Sequence, residues 1–268
     1  MCAVTAADPM GTGPALAAVA EEIAIEAGRL LMGHAEGPAR GLASKSTRTD
    51  LVSDADRASE ALIVDRLRAA RPDDTILAEE GTDHAGAEGR VRWLVDPLDG
   101  TINFLWGIPH WCVSLAASDA AGALAGVVHD PNRDETFVAV RDRGATLNGR
   151  ALALGPSEDL AEALVGTGFN YSAAVRDRQV GRLAPAMARV RDIRRMGAAA
   201  LDLSWVAAGR FDAFFERGVE PWDTAAGALV VREAGGQTID LATTEDMPAG
   251  IAAARKGLLD PLLALVEP

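Results

Sequence analysis

The sequence predicts a mixed fold, α+β in its first half and α/β in its second, and three observations carry that expectation. Helix-period apolar patterns open the chain, short β-type runs punctuated by turn residues follow, and beyond residue 155 strand-like and helix-like segments alternate. No flexible linker interrupts the pattern, so the two halves are expected to pack as one unit.

Residues 14–32 place Leu16, Val19, Ile23, Ala24 and Ala27 on one side of a helix. A second helix begins near Ser53, carries Ala55, Ala58, Ala61, Leu62 and Leu67, and ends ahead of Pro72. The period then shortens. Residues 75–78 and 91–95 read as strands, as do 112–117, 123–129 and 135–140, and turns at Asp142-Arg143-Gly144 and Asn148-Gly149 close that series. A helix around 157–163, a strand at 164–166 and a longer helix to about residue 190 come next. Then follow a helix at 198–208, a strand at 211–215 and a helix at 222–234. Strands near Thr238-Ile239 and at 251–253 and a helix at 258–266 complete the reading. The expected division is a flexible tail over 1–13, an α+β half over 14–150 and an α/β half over 151–268, with the boundary near 149–155.

A chain of 268 residues buries a substantial core, and with aromatics at 4% Ala, Leu and Val must fill most of it. The net charge of −13 argues against a nucleic-acid or anionic-membrane partner, either of which needs a basic patch. An anionic substrate stays open provided bound cations reverse the local sign. Cys2 and Cys112 give no disulfide framework and point to a reducing compartment. Residues 1–14 lack Lys, Arg and any sustained apolar run, unlike a secretory signal, and nothing approaches the roughly 18 apolar residues of a membrane span. A soluble, cytoplasmic protein is expected.

The chemistry concentrates in Asp96-Pro97-Leu98-Asp99-Gly100-Thr101-Ile102-Asn103-Phe104, directly after an apolar strand ending at Val95. Strict alternation along a strand sends neighbouring side chains to opposite faces. A turn begun at Pro97 instead folds Asp96 and Asp99 toward one point, and N–H groups after Gly100 then face an anion, as at helix N-termini. Taken alone, the motif also reads as a strand-to-turn junction with a capping Asp. Other acids sit at chain-distant element ends: Glu79-Glu80, Asp50 and Asp54 around Ser53, and Asp223 in the first turn of a helix. Singly, each has a bland reading as a solvated turn, a cap neighbour or a dipole partner.

Together, Glu79-Glu80, the Asp96–Phe104 motif and Trp222-Asp223-Thr224-Ala225-Ala226-Gly227 resemble the inositol monophosphatase family. Asp50-Leu51-Val52-Ser53, Gly197-Ala198-Ala199-Ala200 and the tract from 126 to 149 extend the resemblance to nearly the whole chain. It implies a layered αβαβα sandwich, as in the superfamily shared with fructose-1,6-bisphosphatase. It also implies two to three Mg²⁺ ions, with Mn²⁺ as a substitute. Glu79, Asp96 and the Leu98 carbonyl would hold one ion, and Asp96, Asp99 and Asp223 a second. Converging carboxylates make sense on such terms, since two of them about 4 Å apart repel by roughly 4 kcal/mol at an effective dielectric near 20.

By the same resemblance, Thr101 and Glu79 orient and help deprotonate a metal-activated water that attacks phosphorus in line, with Asp50 hydrogen-bonded to Thr101. The N–H groups of Gly100 and Thr101 hold the phosphate. Asp99, Ala199 through its backbone, Glu216 and Asp223 contact the polyol. The implied reaction is hydrolysis of a small polyol phosphate monoester, inositol-1-phosphate foremost, with lithium sensitivity and a homodimer as family expectations. Histidinol-phosphate, fructose-1,6-bisphosphate and NADP phosphatases share the scaffold. Some bacterial relatives act as RNA-polymerase accessory proteins, which makes a protein-partner role the non-enzymatic alternative. Ala78 and Ala198 depart from the family's usual Gly and Ser or Thr, and Glu220 adds a charge near the substrate mouth.

Elsewhere the signals are weaker. His34, His84, His110 and His129 lack metal-ligand spacing, and His110 reads first as a packing or loop hydrogen-bonding residue. Arg189, Arg191, Arg194 and Arg195 read by default as a solvated strand face, with a phosphate or partner site as the alternative. Gly11-Thr12-Gly13 precedes no strand–helix unit and is not a dinucleotide site.

Overall fold

The structure is a computed structural model that describes residues 11–35, 43–44, 51–87, 90–157 and 159–267. The expected tail therefore lies almost wholly outside the described residues. The chain opens with helix α1 (Gly13–Ala35), a two-stranded ribbon of β1 (Ala43–Ser44) and β2 (Leu51–Val52), and helix α2 (Asp54–Ala70). Next come β3 (Thr75–Ala78), β4 (Asp83–His84), β5 (Arg92–Asp99), the short helix α3 (Thr101–Leu105), β6 (Cys112–Asp119) and β7 (Gly122–Asp130). Strands β8 (Glu135–Val140), β9 (Gly144–Leu147) and β10 (Arg150–Ala151) finish a sheet of eight ordered β10-β9-β8-β7-β6-β5-β3-β4. The β3–β5 pair is parallel and the other ladders are antiparallel.

The remainder supplies β11 (Leu164–Thr167), α4 (Ala173–Met187), β12 (Asp192–Arg194), α5 (Ala199–Ala207) and β13 (Ala213–Arg217). It continues through α6 (Pro221–Glu233), β14 (Gln237–Leu241), β15 (Gly250–Ala254) and α7 (Leu259–Val266). Its strands form a second sheet ordered β12-β11-β13-β15-β14, parallel among β12, β11 and β13 and antiparallel beyond.

Three apolar layers hold this αβαβα sandwich together. Leu16, Ala20, Ile23, Ala27 and Leu31 of α1 recur at helical spacing and bury, with Ile63 and Leu67 of α2, against Trp93, Val95, Leu115 and Val127 of the large sheet. Helices α5 and α6 fill the space between the sheets through Leu201, Leu203, Val206, Leu229 and Val230, joined by Phe137 and Phe214. On the far side α7 places Leu259 and Leu262 against Val165, Ala252 and Ala254. Small residues let the central layer close tightly. A Cβ on Gly126 of β7 would lie 2.9 Å from the Cα of Ala226 in α6.

Three expectations need correction. The stretch read as a helix at 157–163 forms only one 3₁₀ turn, Leu160–Glu162, with Asp159 capping the Ala161 N–H. The turns at Asp142 and at Asn148-Gly149 do not end the first sheet. Both Asp142 and Asn148 take positive φ, and each turn hands the chain back as a further strand, β9 and β10. The third concerns Pro97, where no turn begins.

Candidate active site

Strand β5 runs through Pro97 to Asp99 instead of turning. Asp96 lies opposite Ser114 of β6 and Asp99 opposite Cys112, three steps on one strand against two on the other, which defines a bulge. Two side chains three residues apart on a regular strand point to opposite faces; one extra residue restores the parity and turns both acids to the same side. Asp96 holds the bulge from within, its Oδ1 accepting the Leu98 N–H at 3.0 Å. Gly100 then adopts φ 94° to start α3, and a Cβ there would press on the His110 carbonyl at 3.0 Å and on Trp111 and Ala198, so only glycine fits.

From the central layer, the N-terminus of α5 meets Asp99. The Ala199 and Ala200 N–H groups donate to its two carboxylate oxygens at 3.2 and 2.7 Å. The start of α6 is tied to β6 by the Ser114 hydroxyl, which donates to the Trp222 carbonyl at 3.3 Å. Asp223 caps that helix by accepting the Glu220 N–H at 2.7 Å. Glu216 enters from β13 with its carboxylate against the backbone of Gly168, where any Cβ would collide at 2.0 Å. Below it, the buried Arg217 guanidinium donates to Glu267 and to the Ala242 and Pro248 carbonyls, clamping that strand end to the C-terminus.

These elements enclose a cavity of about 90 Å³ lined by Glu79, Asp96, Leu98, Asp99, Gly100, Thr101, Ala199, Glu216 and Asp223. Every sequence-predicted site residue is thus on one wall or another, except Asp50, which lies outside the described residues. The Ala199 N–H already donates to Asp99, so this residue braces a carboxylate as well as lining the cavity.

The electrostatics of so many acids are adverse. Burial, then the charges of Glu79, Asp99 and Asp223, pushes the Asp96 carboxyl well above its usual range. Burial does the same to Asp223, with Glu79 and Asp99 adding to it. Burial takes Asp99 up to about 7, against the opposing hydrogen bond from Ala200. Glu216 rises to about 8, chiefly through loss of water and then through Asp202.

Among the described residues no three His, Cys, Asp or Glu side chains are grouped tightly enough to hold an ion as they stand. The donor set nevertheless fits a hard cation. It consists of carboxylates and one carbonyl, all oxygen, lining one cavity where the acids outnumber the single guanidinium of Arg195 among the described lining residues.

Several residues at the site escape the sequence patterns. The Thr101 hydroxyl donates to Asp56 Oδ1 at 3.0 Å and toward the Leu98 carbonyl at 3.2 Å, so Asp56 of α2 is its carboxylate partner among the described residues. The Asn103 amide bridges the His110 and Met196 carbonyls, fastening α3 to the segment before α5. His110 is buried away from the cavity and hydrogen-bonded to Asp202 at 2.9 Å. Burial drives the imidazole down to about 4 and the Asp202 carboxyl well up, which leaves a neutral couple. In the arginine tract, Arg194 is a solvated strand residue paired with Asp192, whereas Arg195 lines the cavity and departs from that reading.

An αβαβα sandwich with an acid-lined cavity beside a bulged strand is a phosphatase scaffold. The chain belongs to the inositol monophosphatase family, which it matches over residues 15–267. It is 43% identical over 226 residues to Nus factor SuhB of Escherichia coli K12, covering 83% of this chain and 84% of that one. It is 46% identical over 192 residues to inositol-1-monophosphatase of Rhizobium meliloti, covering 71% and 72%. The crystal structure of extragenic suppressor protein suhB from Bartonella henselae superposes with a TM-score of 0.86 at 37% identity, over 94% of this chain and 98% of that one.

Proposed function

We propose that this chain is a Mg²⁺-dependent phosphatase acting on a small polyol phosphate monoester, inositol-1-phosphate first among candidates. The observation that carries the reading is the convergence of Glu79, Asp96, Asp99, Asp223, the Leu98 carbonyl and Thr101 on one cavity. Glu79, Asp96 and Leu98 would hold one ion and Asp96, Asp99 and Asp223 another. Bound Mg²⁺ supplies Lewis acidity there, making water more acidic and offsetting charge on the phosphoryl oxygens.

The chain's own residues do the rest. Thr101 has one hydroxyl hydrogen, and acceptors at Asp56 and Leu98 engage it, so its oxygen presents lone pairs and can accept a hydrogen bond from the attacking water. Glu79, which lines the same cavity, takes the proton. First-turn N–H groups of α3, from Gly100 and Thr101, face the phosphate because a helix start leaves them without intrahelical acceptors. Glu216, Asp99 and Asp223 accept from ring hydroxyls, which favours a polyol over an apolar alcohol.

Phosphate release from inositol-1-phosphate, histidinol phosphate, fructose-1,6-bisphosphate, NADP and adenosine 3′,5′-bisphosphate tests this reading, with and without Mg²⁺. A Mg²⁺-dependent kcat/KM highest for inositol-1-phosphate is expected. Another member in first place would change the substrate, and no turnover by Mg²⁺-bound protein would overturn the reading. The relative named Nus factor SuhB favours a second role, contact with a transcription complex, and loss of turnover without loss of that contact in Asp96→Asn would separate the two.

A further inference from the structure

One face of α2 stands behind the site and carries three buried polar side chains. Asp56 and Ser59 are wholly buried and Glu60 is 5% exposed. At positions i, i+3 and i+4 they share one face, while Ala55, Ile63 and Leu67 of the same helix are apolar and buried. Burying an acid or hydroxyl is costly unless hydrogen bonds satisfy it, so their partners reveal what they are for.

Each reaches a different segment of the cavity. Asp56 Oδ1 accepts the Thr101 hydroxyl at 3.0 Å, while its Oδ2 accepts the Ser53 N–H at 2.8 Å. The Ser59 hydroxyl donates at 2.8 Å to the carbonyl of Pro97, the residue between Asp96 and Leu98 in the bulge. Glu60 Oε2 accepts the Glu80 N–H at 2.7 Å, and its Oε1 accepts the Thr82 N–H at 3.2 Å and the Thr82 hydroxyl at 2.6 Å. That carboxylate therefore grips the turn that carries Glu79. Sheet pairing of β3 with β5 and the Thr101 contact with the Leu98 carbonyl also link these segments, and α2 adds one rigid helix that touches all three.

We propose that Asp56, Ser59 and Glu60 are positioning residues, a rail on α2 that registers the Glu79 turn, the Asp96–Leu98 bulge and Thr101 for metal binding and water attack. The inference rests on the phosphatase reading above. It assigns different duties along one helix face. Glu60 and Ser59 place metal-binding oxygens, so they govern Mg²⁺ affinity. Asp56, an acceptor only, fixes the direction of the Thr101 hydroxyl and so governs turnover; Asn in its place presents an N–H₂ that reverses that hydroxyl.

The test compares full-length wild type with Glu60→Gln, Ser59→Ala, Asp56→Asn and the control Ile63→Ala, which hollows the core on the same helix. Mg²⁺ affinity is read by calorimetry, and turnover of inositol-1-phosphate is read against Mg²⁺. Glu60→Gln is expected to weaken Mg²⁺ binding and raise the half-activating concentration about tenfold, the scale of one hydrogen bond to a charged group, with kcat at saturation within about threefold. Ser59→Ala, a milder change that keeps the test open should Glu60→Gln fail to fold, raises it about threefold. Asp56→Asn lowers kcat by about tenfold or more with Mg²⁺ affinity unchanged. Ile63→Ala lowers Tm and moves neither quantity. The proposal is overturned if the folded rail variants stay within about twofold of wild type in both readouts, or if Ile63→Ala weakens Mg²⁺ binding as far as Glu60→Gln does. Wild type that binds Mg²⁺ but turns over no ester sinks the phosphatase reading and with it the duty of Asp56, while the calorimetric comparison still decides that of Glu60 and Ser59.

Discussion

Asp96 is buried among acids that raise its pKa, and the same crowding that suits it to a cation makes it costly without one. Asp96→Asn should therefore have opposite effects on activity and stability. Turnover is expected to fall on the order of a thousandfold, while the metal-free protein gains Tm because folding no longer has to take up a proton at that buried carboxyl. A steady-state assay paired with a thermal melt in chelator checks both, and a lower Tm would contradict the crowding account. Glu216 has a narrower duty. Glu216→Gln should raise KM for inositol-1-phosphate about tenfold and leave kcat/KM for an aryl phosphate nearly unchanged, since only the polyol uses its acceptor. Equal losses on both substrates would remove Glu216 from polyol recognition. At this scale the acids were legible as residue types at element ends, whereas Asp56 and Glu60 were not. Both look like ordinary helix-surface acids in sequence, and only their hydrogen bonds to Thr101 and to the turn at Glu80 set them apart.

Helix α5 joins core and site: its first N–H groups hold Asp99, and Leu201 and Leu203 in the next turn are fully buried between the sheets. Leu201→Ala is expected to cost about 2–5 kcal/mol in urea unfolding, the range for an apolar truncation in a close-packed core. Values under about 1 kcal/mol would mean the interlayer space closes around the loss. Strand β5 teaches a related lesson. Its apolar run and position were readable, but the bulge at Asp96–Asp99 depends on pairing with Ser114 and Cys112 of β6, partners no local pattern reveals. The 157–163 stretch fails the other way, since its helical composition yields one 3₁₀ turn before β11 enters the second sheet.

Across the whole molecule, a net charge of −13 coexists with a cavity that concentrates acids, and the two together make stability depend on pH and cations. Folding raises the Asp99 carboxyl from 3.8 to about 7 and Glu216 from 4.5 to about 8. Between those values the folded state binds more protons than the unfolded one, so these two groups make stability fall as pH rises toward 8 and add no further change above it. His110, lowered from 6.5 to about 4, acts in the opposite sense but only below 6.5, where the unfolded chain takes up its proton. The window from 6.5 to 8.5 thus isolates the carboxylates. Metal-free protein should lose Tm across it, and Mg²⁺ should raise Tm more at 8.5 than at 6.5. A flat or rising Tm in chelator would show that the acids do not carry the charge burden described. Among the described residues no helix is long and apolar enough to cross a membrane.

The sequence by itself determined most of the elements and the kind of chemistry present. Apolar periodicity marked α1, α2, β5 to β8 and α6, because burial on one face imposes 3.6 or 2 residues per repeat wherever the chain lies. The acids at element ends, each with a bland reading alone, marked oxygen-ligand chemistry through the family pattern they resemble together. Tertiary structure alone decided which acids share a face and what holds them. The bulge that turns Asp96 and Asp99 to one side, the α5 amides on Asp99, the α2 contacts and the inward Arg195 all arise from partners tens of residues away. Hydrogen bonds and parity shifts of that kind leave no local period, so they come into being only when the layers close.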